Sequence, residues 1–173
     1  SALAGFYGVG IAASAMMATT AMQLAVDAVK SGNNVIITGK AGTGKSSLLT
    51  YLRKFIFPEN YVVTAYTGTA ALNVGGVTIH RFLKVGIDVT REKLESSSYK
   101  PNKEILKNLA VLAIDEISMV RADFMDYIDI ALRRFGPKPG TPFGGIQIVM
   151  FGDLYQLPPI VKNEEKKFFD ENF

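Results

Sequence analysis

Residues 39–46 read GKAGTGKS, and the segments on either side of them decide the fold. Before the run, residues 34–38 (NVIIT) form an unbroken apolar stretch of strand length, as expected for a parallel strand covered on both faces. After it, Leu48, Leu49, Leu52, Phe55 and Ile56 recur at helical spacing until Pro58. The run therefore joins a buried strand to an amphipathic helix, and it matches G-x-x-x-x-G-K-[ST]. Glycines at 39, 42 and 44 let successive backbone N–H groups turn inward around an anion with no side chain in the way. The helix opening near Lys45 points its positive end at the same place. Lys45 can then reach outer phosphates, and the Ser46 hydroxyl can sit on a magnesium ion that touches those phosphates. A chance glycine loop with a surface lysine is the plainer reading, and the flanking strand and helix weigh against it.

Working outward, a helix is expected from Thr20, with Met22, Val26 and Val29 on one face and a Ser31-Gly32 stop. Residues 61–65 (YVVTA), 111–114 (VLAI) and 146–151 (IQIVMF) read as further buried strands. Phe124, Ile128, Ala131 and Phe135 mark a helix between the last two. Strands alternating with helices predict an α/β domain with a mostly parallel sheet flanked by helices on both faces. The polar stretch 88–102 is expected to be a loop. Residues 1–19 are apolar and uncharged but lack the positive region of a secretory signal, so they are expected to be a leader or flexible arm. Residues 20–173 are then a single domain.

At 173 residues and 48% hydrophobic, the chain can bury one sizeable core. The absence of cysteine excludes disulfides and thiolate chemistry, and a single histidine argues against structural zinc. Any metal should be a hard ion on oxygen ligands. A net charge of +3 permits contact with a phosphate backbone without demanding it.

The third predicted strand ends in Asp115-Glu116. Two adjacent acids there are costly to place unless they meet a cation or a reacting group. Downstream of a phosphate loop, Asp115 is the candidate to hold magnesium through water and Glu116 to orient and deprotonate the attacking water. Alone, such a pair is more often a helix cap. The fourth strand ends in Gly152-Asp153, and Gln156 just beyond it is a candidate contact to the terminal phosphate, with an ordinary loop glutamine as the alternative.

Four ordered segments, GKAGTGKS, TGTAALNVGGVTIHRF, VLAIDEISMV and FGDLYQLPP, resemble the Pif and RecD-like DNA helicases of superfamily one, subfamily B. The resemblance runs from about residue 23 to 163 and implies a RecA-like P-loop NTPase domain. It also implies ATP-driven, five-prime to three-prime translocation on single-stranded DNA, with ATP and Mg2+ as cofactors. On this reading Lys45, Glu116 and Gln156 are catalytic. The nucleotide is held by Gln23, Gly39, Ala41, Gly42, Thr43, Gly44, Lys45, Ser46 and Ser47, and the metal by Ser46 and Asp115. Thr67, Thr69, His80, Arg81 and Phe82 face DNA. Gln23 resembles a glutamine that reads adenine, although Thr20-Ala21-Met22-Gln23 also reads as a helix capping box. Tyr66 stands where the family usually has proline. The implied partners are single-stranded DNA, DNA junctions and a second RecA-like half of the same polypeptide, which would carry the arginine finger. No membrane partner is implied, the segment is expected to be monomeric, and its location intracellular.

Two other classes share the phosphate loop. A nucleotide-dependent switch has no need of a base such as Glu116. A small-molecule kinase would carry an arginine-rich lid, and no arginine cluster lies between the strands.

Overall fold

The computed structural model describes residues 7–10 and 15–153. Six strands form one sheet: β1 (Tyr7–Gly10), β2 (Val35–Thr38), β3 (Tyr61–Ala65), β4 (Val77–Thr78), β5 (Val111–Asp115) and β6 (Gln147–Gly152). Their spatial order is β1-β2-β6-β5-β3-β4, and every pairing is parallel. The larger helices are α1 (Ala15–Lys30), α2 (Lys45–Phe55) and α7 (Ala122–Phe135). Four short ones fall between: α3 (Gly68–Asn73), α4 (Ile79–Leu83), α5 (Arg91–Glu95) and α6 (Lys103–Asn108).

The strand side chains divide between two cores, because alternate residues of a strand face opposite sides. Val111, Ala113, Val149 and Phe151 pack with Val35, Ile37, Leu48, Leu49 and Leu52 beneath α1 and α2. Leu112, Ile114, Ile148 and Met150 pack with Phe124, Ile128 and Leu132 beneath α7. Leu52, Leu112, Ile114 and Ile128 are fully buried. Each such side chain contributes about 1.5–3 kcal/mol relative to exposure, so the sheet is clamped from both sides. The predicted three-layer arrangement is the one observed.

Three local expectations differ. Helix α1 begins at Ala15, so Thr20 lies inside it and cannot form the capping box suggested by the residues up to Gln23. Gln23 instead donates through Nε2 to Asp27 Oδ1, one turn on, at 2.9 Å. Tyr7–Gly10, expected within a leader or arm, pairs as an edge strand with β2, in register Tyr7↔Val35 to Gly10↔Thr38. A glycine-rich strand can pair through backbone alone, without an apolar side-chain pattern. The expected loop at 88–102 contains α5, which starts on a Thr90 cap accepting from the Lys93 N–H and buries Leu94. Among the described residues, no helix is long and apolar enough to cross a membrane.

Candidate nucleotide site and nucleic-acid face

Strand β2 delivers the chain to the carboxyl edge of the sheet, where GKAGTGKS turns back into α2. Gly42 and Gly44 have φ of 78° and 91°, the left-handed region that glycine enters without strain. Thr43 closes the turn on the Lys40 carbonyl through both its N–H and its hydroxyl. The Gly39 N–H donates to the Gly152 carbonyl at the end of β6, which ties the loop to the neighbouring strand. Lys45 Nζ donates to the carbonyls of Gly39 and Lys40, the latter at 2.8 Å. The ammonium is thus held at the mouth of the loop by neutral acceptors.

The sheet register assembles the rest. Strand β6 lies between β2 and β5, and parallel pairing brings their carboxyl ends to one edge. A cleft of about 440 Å³ opens there, lined by Ala41, Gly42, Gly44, Lys45, Ser46 and Ser47 from the loop and by Asp115, Glu116, Gly152 and Asp153 from the strand ends. The loop and the acidic pair, 70 residues apart in sequence, therefore meet across a single space. Burial pushes the Asp115 carboxyl above the usual range. The Glu116 N–H that it accepts works against this, the Glu116 charge adds to it, and the Lys45 charge opposes it. A cation in the cleft would favour its ionised form.

Asp153, only 7% exposed, was not singled out as a ligand from sequence, yet it lines the cleft. An acid closing a buried strand at the same edge as Asp115 was the available signal. Gln156 lies outside the described residues. Gly39 and Thr43 shape the loop without lining the cleft. Gln23 is absent from the cleft as well and lines a neighbouring pocket of about 380 Å³ with Met22, Val26, Lys30, Ser47, Leu48 and Tyr51. Ser47 borders both spaces, so a polar chamber adjoins a more apolar one across it.

The five DNA-facing candidates divide. Thr69 and Arg81 are exposed. Phe82 is half-buried and packs on the α7-side core. His80 stacks on Phe124, and Tyr66, the residue in place of proline, meets both rings edge-on. Thr67 is directed elsewhere: its hydroxyl donates to Glu116 Oε2 at 3.0 Å. Arg133 and Arg134 bind Asp129 and the carbonyls of Gly140, Leu94 and Ser96, and neither lines the cleft.

A glycine cradle closed by a lysine and faced by strand-end carboxylates, on a wholly parallel sheet, defines a RecA-like phosphate-loop NTPase domain. Comparison narrows the class. The family model of PIF1-like helicases matches residues 17–171. The chain is 41% identical over 152 residues to the ATP-dependent DNA helicase PIF1 of Saccharomyces cerevisiae, covering 83% of this chain and 18% of that protein. It is 41% identical over 148 residues to the Danio rerio PIF1 helicase, covering 83% and 23%. A crystal structure of Pif1 helicase from Bacteroides in complex with ADP-AlF3 and single-stranded DNA superposes with a TM-score of 0.76 at 41% identity, over 87% of this chain and 35% of that one. The chain belongs to the PIF1-like helicase family. It spans about a fifth of the length of these two curated relatives.

Proposed function

We propose that this chain is the first RecA-like half of an ATP-driven DNA motor that moves five-prime to three-prime on single-stranded DNA and separates duplexes. The observation that carries the reading is the shared cleft of Lys45, Ser46, Asp115 and Glu116 in a chain about 40% identical to helicases. The Bacteroides relative is described with a nucleotide analogue and single-stranded DNA together, which supports both ligands here.

The residues present fit Mg2+. Ser46 and Asp115 offer hard oxygen donors beside the loop, and magnesium commonly takes only one or two protein ligands, with phosphates and water completing its shell. Bound there, it would supply charge neutralisation at the phosphate oxygens. The loop N–H groups and Lys45 bind and orient the phosphates, since a charged phosphate oxygen is a stronger acceptor than the carbonyls Lys45 now meets. Glu116 takes a proton from the attacking water. Gln156 contacts the terminal phosphate. Gln23 and its pocket hold the adenine, because the amide can pair with a base edge while the apolar walls cover the ring.

In this reading Thr69, Arg81 and the His80 neighbourhood contribute to a strand-binding face, and the preferred partners are single-stranded DNA and junctions. A second RecA-like half of the same polypeptide supplies the arginine finger, an effect worth on the order of 10³–10⁵ in rate. The 173-residue segment alone is then a monomer that binds nucleotide and hydrolyses it very slowly. Such a motor works inside the cell, in bacterial cytoplasm or in a eukaryotic nucleus or mitochondrion.

Strand displacement by the complete polypeptide tests the proposal, using duplexes with either a five-prime or a three-prime single-stranded tail. Only the five-prime tail should support ATP-dependent separation, and Lys45→Ala should abolish it. Nucleotide binding with no displacement and no response of turnover to DNA would identify a switch module instead.

A further inference from the structure

The hydrogen bond from Thr67 to Glu116 joins residues 49 apart in sequence, from two separate segments of the chain. Strands β3 and β5 are neighbours in register Ala65↔Asp115, so the residues leaving their carboxyl ends emerge side by side. Thr67 follows β3 by two positions and Glu116 follows β5 by one.

Both residues are fixed at the backbone. Thr67 caps α3, with its Oγ1 accepting from the Ala70 N–H at 3.2 Å. A hydroxyl has one proton, and with the cap engaging its oxygen, that proton points to Glu116 Oε2 at 3.0 Å. Glu116 sits at φ 56°, left-handed for a residue with a side chain, a conformation that persists where the surroundings over-determine it. Its N–H is held by Asp115 Oδ1 at 2.9 Å and its carbonyl by the Met119 N–H at 3.0 Å. The remaining freedom of Glu116 is rotation of its side chain, and Thr67 removes it.

We infer that Thr67 is a positioning residue for hydrolysis: it holds one oxygen of the Glu116 carboxylate so that the other is presented to the attacking water. The inference rests on Glu116 being the base. Thr67 does not line the phosphate cleft, so its inferred effect falls on hydrolysis and not on nucleotide binding. Its only proton is committed to Glu116, so the hydroxyl is not a donor to a DNA phosphate. The segment from Thr67 through α3 is thereby coupled to the base, and a displacement of α3 would be felt first in the rate of hydrolysis.

The test uses steady-state kinetics of the complete polypeptide at saturating single-stranded DNA, with DNA affinity measured at fixed salt. Thr67→Val removes the hydroxyl at nearly constant shape. Thr67→Gly removes it while keeping a residue tolerated at helix starts, in case the valine variant fails to fold. Thr67→Ser retains the donor. Either loss variant should lower kcat by about ten- to a hundredfold, the scale of a small misplacement of a reacting group, with KM for ATP and DNA affinity held within about twofold. Serine should restore most of the rate. Unchanged kcat, failure of serine to restore it, or a loss confined to KM or DNA affinity would overturn the inference. Glu116→Gln separates the two levels: if it still hydrolyses ATP, the base assignment fails, whereas an inactive Glu116→Gln beside a normal Thr67→Val fails the Thr67 assignment alone.

Discussion

The ring of His80 lies over that of Phe124, with centroids 4.6 Å apart and planes inclined by 26°. Burial holds the imidazole below its ordinary value of 6.5, so it is neutral near pH 7. As pH falls through 6.5, an unfolded chain takes up this proton before the folded one does, and the fold loses stability until the lower folded value is passed. Asp88, Asp123, Arg121 and Tyr127 line the same cavity and are present in both parent and variant. Comparing the parent with His80→Phe therefore isolates the imidazole. Thermal midpoints should converge as the pH is raised from about 5 to about 7, with the parent relatively weaker on the acid side. A difference between the two proteins that does not vary with pH would refute this account of His80.

Replacing Lys45 with alanine removes charge-assisted contacts worth roughly 1.5–3 kcal/mol, so ATP affinity should fall about tenfold or more. Titration calorimetry giving the parent affinity would remove the phosphate-loop assignment.

Glu116→Gln keeps the shape of the side chain and its ability to accept from Thr67, but an amide takes up no proton. The variant should bind ATP and magnesium as the parent does while turnover falls by roughly 10²–10⁴. Hydrolysis at the parent rate would show that another group is the base.

Gly144 has φ 63°, and a Cβ there would stand 2.1 Å from the Leu132 carbonyl oxygen and 2.9 Å from the Gly136 Cα. The turn Pro142–Gly145 packs the end of α7 against the entry to β6. Gly144→Ala should destabilise the domain by about 1–3 kcal/mol through backbone strain and overpacking, read as a lower denaturant midpoint. A variant as stable as the parent would show that the turn can relax.

The central strands and the phosphate loop were legible because burial on both faces gives continuous apolar runs, of which VLAI and IQIVMF are the clearest. Val77–Thr78 was missed because two residues carry no period, and α3 to α6 because five or six residues barely complete a helical turn and a half. The start of α1 was misplaced because AASAMMATT is made mostly of small residues, and the threonine pair Thr19-Thr20 at its end offers a second helix start after Ser14. At the site, spacing pointed to Lys45, Ser46, Asp115 and Glu116 because each belongs to a local pattern, and the fold brings the four to one cleft. The Thr67–Glu116 bond has no local pattern, since it depends on β3 and β5 being neighbours in a register that only the folded sheet fixes. Asp153 carried a local signal as an acid closing a buried strand, but its place beside the loop follows from β6 lying between β2 and β5.

Phosphate release measured side by side on the 173-residue segment and on the complete polypeptide, each with and without single-stranded DNA, separates a two-half DNA motor from a self-sufficient ATPase. The complete polypeptide should turn over ATP in a strongly DNA-stimulated manner that Lys45→Ala and Glu116→Gln both abolish. If, as proposed, a second half supplies the finger and part of the strand-binding face, the segment should bind ATP yet release phosphate at least about 10³-fold more slowly, unmoved by DNA. Turnover by the complete polypeptide that ignores DNA, or that survives loss of Lys45 and Glu116, would contradict the account.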